Sequence, residues 1–269
     1  MLANFFIGLR EGLEAALVVG ILVAYLVKLG HKNKAPQVLY GTIAAVLVSV
    51  GVGFALSVLV QELPKGSQEL ISGITSIIAV GFVTWMIFWM AKQSRSLGSS
   101  LRARVDAAID REAFGLAILA FLSVIREGIE TSAFIWSASR ATGSDTNPLW
   151  GAAIGIVTSA VLGYLIYRGA LKLNLGIFFK YTGGFLVVVA AGILAYGVGE
   201  LQEIGVLNLL HQQTYDLTGL IAPEGWVDNL LRGTISFKSA PTVLESIAWF
   251  GYLAIAGTLF VRANRKPKA

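Results

Sequence analysis

Apolar windows, each long enough for a membrane helix of roughly 20 residues, recur along nearly the whole chain. In hydrocarbon every backbone amide and carbonyl must find a partner within its own segment, so isolated windows of this length become helices. They fall near 2–27, 38–60, 70–91, 113–138, 149–169, 181–199 and 243–261. The sequence therefore predicts an all-α integral membrane protein with seven transmembrane helices. Charged residues make up 14% of the chain, against about 25% in a soluble domain. Residues 1–269 are expected to form a single membrane domain with no soluble catalytic part.

The bases and acids are sorted by loop. Lys28, Lys32 and Lys34 follow the first window, and Lys92, Arg95, Arg102, Arg104 and Arg111 follow the third. Arg168, Lys172 and Lys180 follow the fifth, and Arg262, Arg265, Lys266 and Lys268 end the chain. The alternate loops hold only Lys65, Arg140, Arg232 and Lys238. Positive charge stays inside, which puts the N-terminus outside, the C-terminus in the cytoplasm, and the chain in the cell membrane as a multi-pass protein. The net charge of +5 then needs no nucleic acid to explain it. Acids collect in the outer loops, where they either attract cations or simply escape a rule that acts on bases. With no cysteine, disulfides and thiolate ligands are excluded. The first window has no basic leader and is interrupted by Arg10, Glu11 and Glu14, so a cleaved signal peptide is not expected.

Those interrupting charges repeat. Arg10-Glu11-Gly12-Leu13-Glu14 returns as Arg126-Glu127-Gly128-Ile129-Glu130 in the fourth window, and Leu39-Tyr40-Gly41 at the second window is echoed by Leu149-Trp150-Gly151 at the fifth. Copies displaced by an odd number of spans enter the membrane in opposite senses. This is a 3+3 inverted repeat, a plan that places the binding site between its halves. Repeat 1 covers about 1–91 and repeat 2 about 113–199, followed by an outer loop at 200–242, a seventh helix at 243–261 and a basic tail at 262–269. Residues 92–112 read as a cytoplasmic surface helix and 144–148 as an outer turn. Gly8, Gly12, Ala16 and Gly20 form a small-residue face for close packing.

Ionised groups in a membrane span cost kilocalories per mole and usually mark an ion or substrate path. Helical spacing puts Glu11 with Glu14, and Glu127 with Glu130, on shared faces, each glutamate pair carrying one arginine four residues before its second acid. Each motif then carries a local charge of −1, and a bound multivalent cation would relieve the pair of them. A single such ion pair is often structural, but two acids per base in both halves point to a cation site. Carboxylate oxygens suit hard cations such as iron, magnesium, calcium or manganese. Proton-coupled transport of another hard divalent cation, or a membrane sensor that binds iron without passing it, remain alternatives. No nucleotide-binding or His-Glu-x-x-His motif accompanies the chain, so an enzyme is not expected, and no tightly bound cofactor.

The double pentapeptide resembles the signature of the oxidase-dependent iron transporter family, the high-affinity iron permeases. Gln68-Glu69-Leu70, Thr84-Trp85-Met86-Ile87-Phe88-Trp89-Met90 and Leu173-Asn174-Leu175-Gly176 are similar to its bacterial members. The resemblance implies a seven-helix permease that imports iron as ferric ion, with Glu11, Glu14, Glu127 and Glu130 as metal residues. Arg10 and Arg126 are the supporting ion pairs. It further implies an extracytoplasmic oxidase, peroxidase or iron-delivery protein as partner. Glu200 and Glu203 look like the family's outer Glu-x-x-Glu element; with Glu69 and Glu245 they are candidates for the ion entrance. His31 and His211 read as loop residues, and Trp85, Met86, Trp89 and Met90 as an inner interfacial belt.

Overall fold

The computed structural model describes residues 2–61, 64–93, 105, 114–142, 148–170, 174–221, 225, 227–228, 231 and 237–264. Among the described residues seven long helices carry the fold: α1 Leu2–Lys28, α2 Ala35–Gln61, α3 Lys65–Gln93, α4 Gly115–Thr142, α5 Pro148–Tyr167, α6 Leu175–Glu203 and α7 Val243–Asn264. Each overlaps a predicted window, and most run a turn beyond it. Five of them, α2, α3, α5, α6 and α7, are long and apolar enough to cross a membrane. The remaining two, α1 and α4, are the helices that carry the charged pentapeptides. The chain is a membrane protein. Among the described residues no strand forms beyond one bridge between Gln213 and Thr242. The surface helix expected within 92–112 and the turn at 144–148 fall almost wholly outside the described residues.

Local chemistry sets the helix ends. The side chain of Asn174 accepts from the Ile177 amide at 3.2 Å and caps α6, satisfying one of the amides a helix start leaves without a partner. Proline opens α5, where its missing N–H is no loss. Both α1 and α5 end on a glycine with positive φ, Gly30 and Gly169. After each, the following amide reaches back to the helix, His31 to Leu26 and Ala170 to Leu165, as in a Schellman cap.

The helices pair reciprocally between the two halves. α1 lies parallel to α5: Gly8 meets Ala152, Gly12 meets Ser159, and Ala16 meets Gly163. α2 lies parallel to α4: Gly41 meets Ala117, Ser49 meets Gly128, and Gly53 meets Ser132. A methyl group on Gly12 or Gly128 would collide with a serine hydroxyl, so the glycines permit these approaches, as small residues do between membrane helices. Ser132 ties α4 to α2 directly, donating to the Ser49 carbonyl at 2.8 Å. α6 runs antiparallel to α3, with Gly73 against Gly197 and Leu201, and antiparallel to α7, with Gly183 against Phe260 and Gly199 against Glu245. The larger core joins Ala3 and Ile7 of α1 to Val80, Val83 and Met86 of α3 and to Leu186, Ala190 and Ile193 of α6. That packing presses α1 and α4 together and brings the charged motifs face to face.

Candidate metal-binding site

Glu11, Glu14 and Glu127 each present a carboxylate oxygen within 4.8 Å of the others. Two come from α1 at i and i+3, so the helical turn itself aligns them. The third crosses from α4. Arg10 sits beneath this group, fully buried at 1% exposure. Its Nη1 donates to Glu11 Oε1 at 2.7 Å and reaches Met86 Sδ at 3.3 Å. Its Nη2 stands 3.3 Å from Glu14 Oε1, close enough for attraction but outside hydrogen-bond geometry. The expected i,i+4 pair is therefore present, but the nearer partner is the adjacent Glu11.

Glu130 lies outside this group of three. Its Oε1 accepts from Arg126 Nε at 3.0 Å, and its Oε2 is buried with no hydrogen-bond partner. Arg126 is 37% exposed in its side chain, and its guanidinium lies over the Trp89 ring, 4.6 Å from the centroid. Four acids and two bases leave a net −2 when all are ionised.

The donor set fits a hard cation. Glu11 Oε2, Glu14 Oε1 and Glu130 Oε2 are all buried without a hydrogen bond, a costly state for anionic oxygen in a low-dielectric interior. A cation set among them would satisfy these lone pairs and offset the charge together. The donor atoms that converge here are all carboxylate oxygens, in keeping with oxygen-preferring metals.

One expectation changes, and one contact is new. Met86 does not belong to an interfacial belt: it is buried at 1%, with its sulfur against Arg10. Trp85 and Trp89 stack with each other, centroids 6.2 Å apart, under the guanidinium of Arg126. No periodicity in α3 foretold either contact, because both depend on which helix lies opposite. The side chain of Met90 falls outside the described residues.

The four entrance candidates gather at one end of the bundle, where α3 begins and α6 ends. Glu69 lies one turn before Gly73, which packs on Leu201, between Glu200 and Glu203. Gly73 and Met86 are separated by about 20 Å along the helix axis, so this end is well removed from the three carboxylates. Glu203 is exposed, while Glu69 and Glu200 are half-buried. Glu245 is different. Its Oε2 accepts from the Thr242 amide at 2.7 Å, its Oε1 from Lys238 at 2.9 Å, and its own amide donates to the Thr242 hydroxyl. This is a capping box, and both carboxylate oxygens of Glu245 are engaged, one by the Thr242 amide and one by Lys238. The pattern Thr242-x-x-Glu245 ahead of an apolar run is the sequence signal for it.

The profile of the iron permease FTR1 family matches residues 1–264. Ferrous iron permease EfeU of Escherichia coli O157:H7 is 36% identical over 98% of this chain and 97% of its own length. The protein of the same name from the uropathogenic strain CFT073 is likewise 36% identical over the same shares. That of Yersinia pestis is 34% identical over 97% of this chain and 93% of its own. No solved structure matches. A charged pentapeptide on each of two facing helices, a profile spanning nearly the whole sequence and relatives similar from end to end lead to one conclusion: this chain belongs to the iron permease FTR1 family.

Proposed function

We propose that the chain imports iron across the cell membrane, the ion being held first by Glu11, Glu14 and Glu127 and then also by Glu130. The observation that carries this reading is the convergence of the three buried carboxylates on one point between α1 and α4. Glu130 joins when its buried free oxygen turns toward the ion. Seven spans with the N-terminus outside follow from the loop charges. An inverted repeat is supported by the reciprocal pairing of Gly12 with Ser159 and Gly128 with Ser49. In this orientation Glu69, Glu200 and Glu203 line the outer end and draw cations toward it.

The relatives are named for ferrous iron, whereas an all-carboxylate cage suits ferric iron well. We read both as one route: ferrous iron is offered at the outer face, an extracytoplasmic oxidase or peroxidase passes one electron per ion to oxygen or peroxide, and the ferric ion enters the cage. Inward movement of positive charge is favoured by the membrane potential, about 2.3 kcal/mol per charge per 100 mV. Release inward needs the halves to rock against each other and Arg10 to reclaim its two acids.

Vesicles reconstituted with the purified chain and loaded with a metal-sensitive dye test this reading. Uptake of iron, with ferric and ferrous forms supplied separately and manganese and magnesium as competitors, is the expected result. Binding without uptake would make the chain a sensor, and preferred uptake of another divalent ion with proton movement would make iron the wrong cargo.

A further inference from the structure

The two motif arginines are held differently. Arg10 pairs with both of its acids, Glu11 and Glu14. Arg126 pairs with Glu130 and, among the described residues, forms no ion pair with Glu127. Its guanidinium is instead drawn over two indoles, 4.6 Å from the Trp89 centroid and 5.7 Å from that of Trp85. The indoles lie one turn apart on α3, stacked with an interplanar angle of 27°. A planar, weakly hydrated guanidinium is attracted to an indole face, and more strongly where water is excluded. If the first residues of α3 and α6, Lys65 and Leu175, are taken as equivalent, Trp85 and Trp89 correspond to Ala195 and Gly199. Neither of these two residues carries a ring.

We propose that Trp85 and Trp89 are positioning residues for iron binding: they hold Arg126 off Glu127, so that Glu127 keeps its oxygens for the ion. This rests on the iron-site reading above. In the first motif the guanidinium of Arg10 turns onto Glu11 and also reaches the Met86 sulfur. In the second the indoles take the place that Glu127 would otherwise fill. Without them Arg126 would fold onto Glu127 as Arg10 does onto Glu11. An arriving cation would then have to displace two arginines instead of one. The two arginines thus divide the work. Arg10 balances the empty site, and Arg126, held aside, leaves it a vacant ligand.

The test is iron binding to the full chain in lipid nanodiscs, titrated with ferric citrate and, under anaerobic conditions, with ferrous iron. Trp89→Leu should bind about tenfold more weakly, between the weights of an exposed and a desolvated cation–π contact. Trp89→Phe, which keeps a ring, should stay within about twofold of the wild type, and Trp85→Leu should fall between. A purely structural role for the indoles is separated by coupling: in an Arg126→Gln background, Trp89→Leu should have no further effect, since no charge remains to misplace. Wild-type affinity in Trp89→Leu, an undiminished tenfold loss in the Arg126→Gln background, or loss of binding in Arg126→Gln alone would each overturn the proposal. If Trp89→Leu does not insert, Trp85→Leu is read for the same coupling. A wild-type chain that binds no iron would remove the iron-site reading itself, before any variant is compared.

Discussion

The two copies of the pentapeptide are nearly identical in sequence and unlike in environment. On α1 the motif is sealed, with Arg10 and Glu11 each 1% exposed; on α4 it is half open, with the Arg126 side chain 37% exposed. The cause lies in the second layer of helices. α6 touches both motif helices and is well backed by α7, whereas α3 touches α4 to the same extent but α1 less, and is only lightly backed by α7. The lesson is that a repeated charge pattern gives equal chemistry to both halves, but packing sets it in unequal surroundings: one arginine lies against both of its acids, and the other lies on one acid and over two indoles.

That contrast is most exposed to test at the carboxylates. Glu14→Gln and Glu127→Gln should each lower iron uptake into vesicles on the order of 100-fold, as expected when a desolvated charged partner is lost. Glu130→Gln, already committed to Arg126, should lower it about tenfold by the same reasoning. Equal losses at Glu127 and Glu130 would break the distinction between the halves. The arginines come next. Arg10→Ala strips a buried cluster of its base and should destabilise the protein by about 3 kcal/mol or more. Arg126→Ala, partly exposed, should do so by about 1 kcal/mol. Unfolding midpoints followed by size-exclusion after heating would read the difference, and matching midpoints would argue against it.

Where the halves agree, variants should agree too. Gly12→Ala and Gly128→Ala each push a methyl into a serine hydroxyl, Ser159 or Ser49, and each should cost about 1–3 kcal/mol through overpacking. Unlike losses in the same melting assay would mean that the reciprocal pairing of α1 with α5 and α2 with α4 is not equivalent. The smallest effect is expected at the cap of α7. Thr242→Ala should cost about 1 kcal/mol while iron uptake stays at the wild-type level, because the Thr242–Glu245 box lies at the far end from the three carboxylates. A large fall in uptake there would return Glu245 to the ion path.

Much of this was legible from residues alone. Helix positions were readable because a span in hydrocarbon must satisfy its own backbone, so apolar length becomes helix with little help from tertiary structure. The pairing of Glu11 with Glu14 was readable because helical geometry is local. Arg10 was expected to reach four residues forward, and its tighter bond to the neighbouring Glu11 was not foreseen. That choice depends on Met86 and Glu127 closing in from other helices. The platform under Arg126 was hidden for the same reason: Trp85 and Trp89 sit on α3 at ordinary interfacial spacing, and only the packing of α3 beside α4 turns them toward a charge.

The sequence by itself determined the helices, the count of acids against bases and the presence of two matched motifs, since these follow from composition and from the helical period. Tertiary structure alone decided that three carboxylates meet while the fourth stays on its arginine, and that one arginine is buried and the other drawn aside. Those outcomes hang on distances between segments far apart in the chain, where a shift of a few ångströms changes which charge an arginine satisfies.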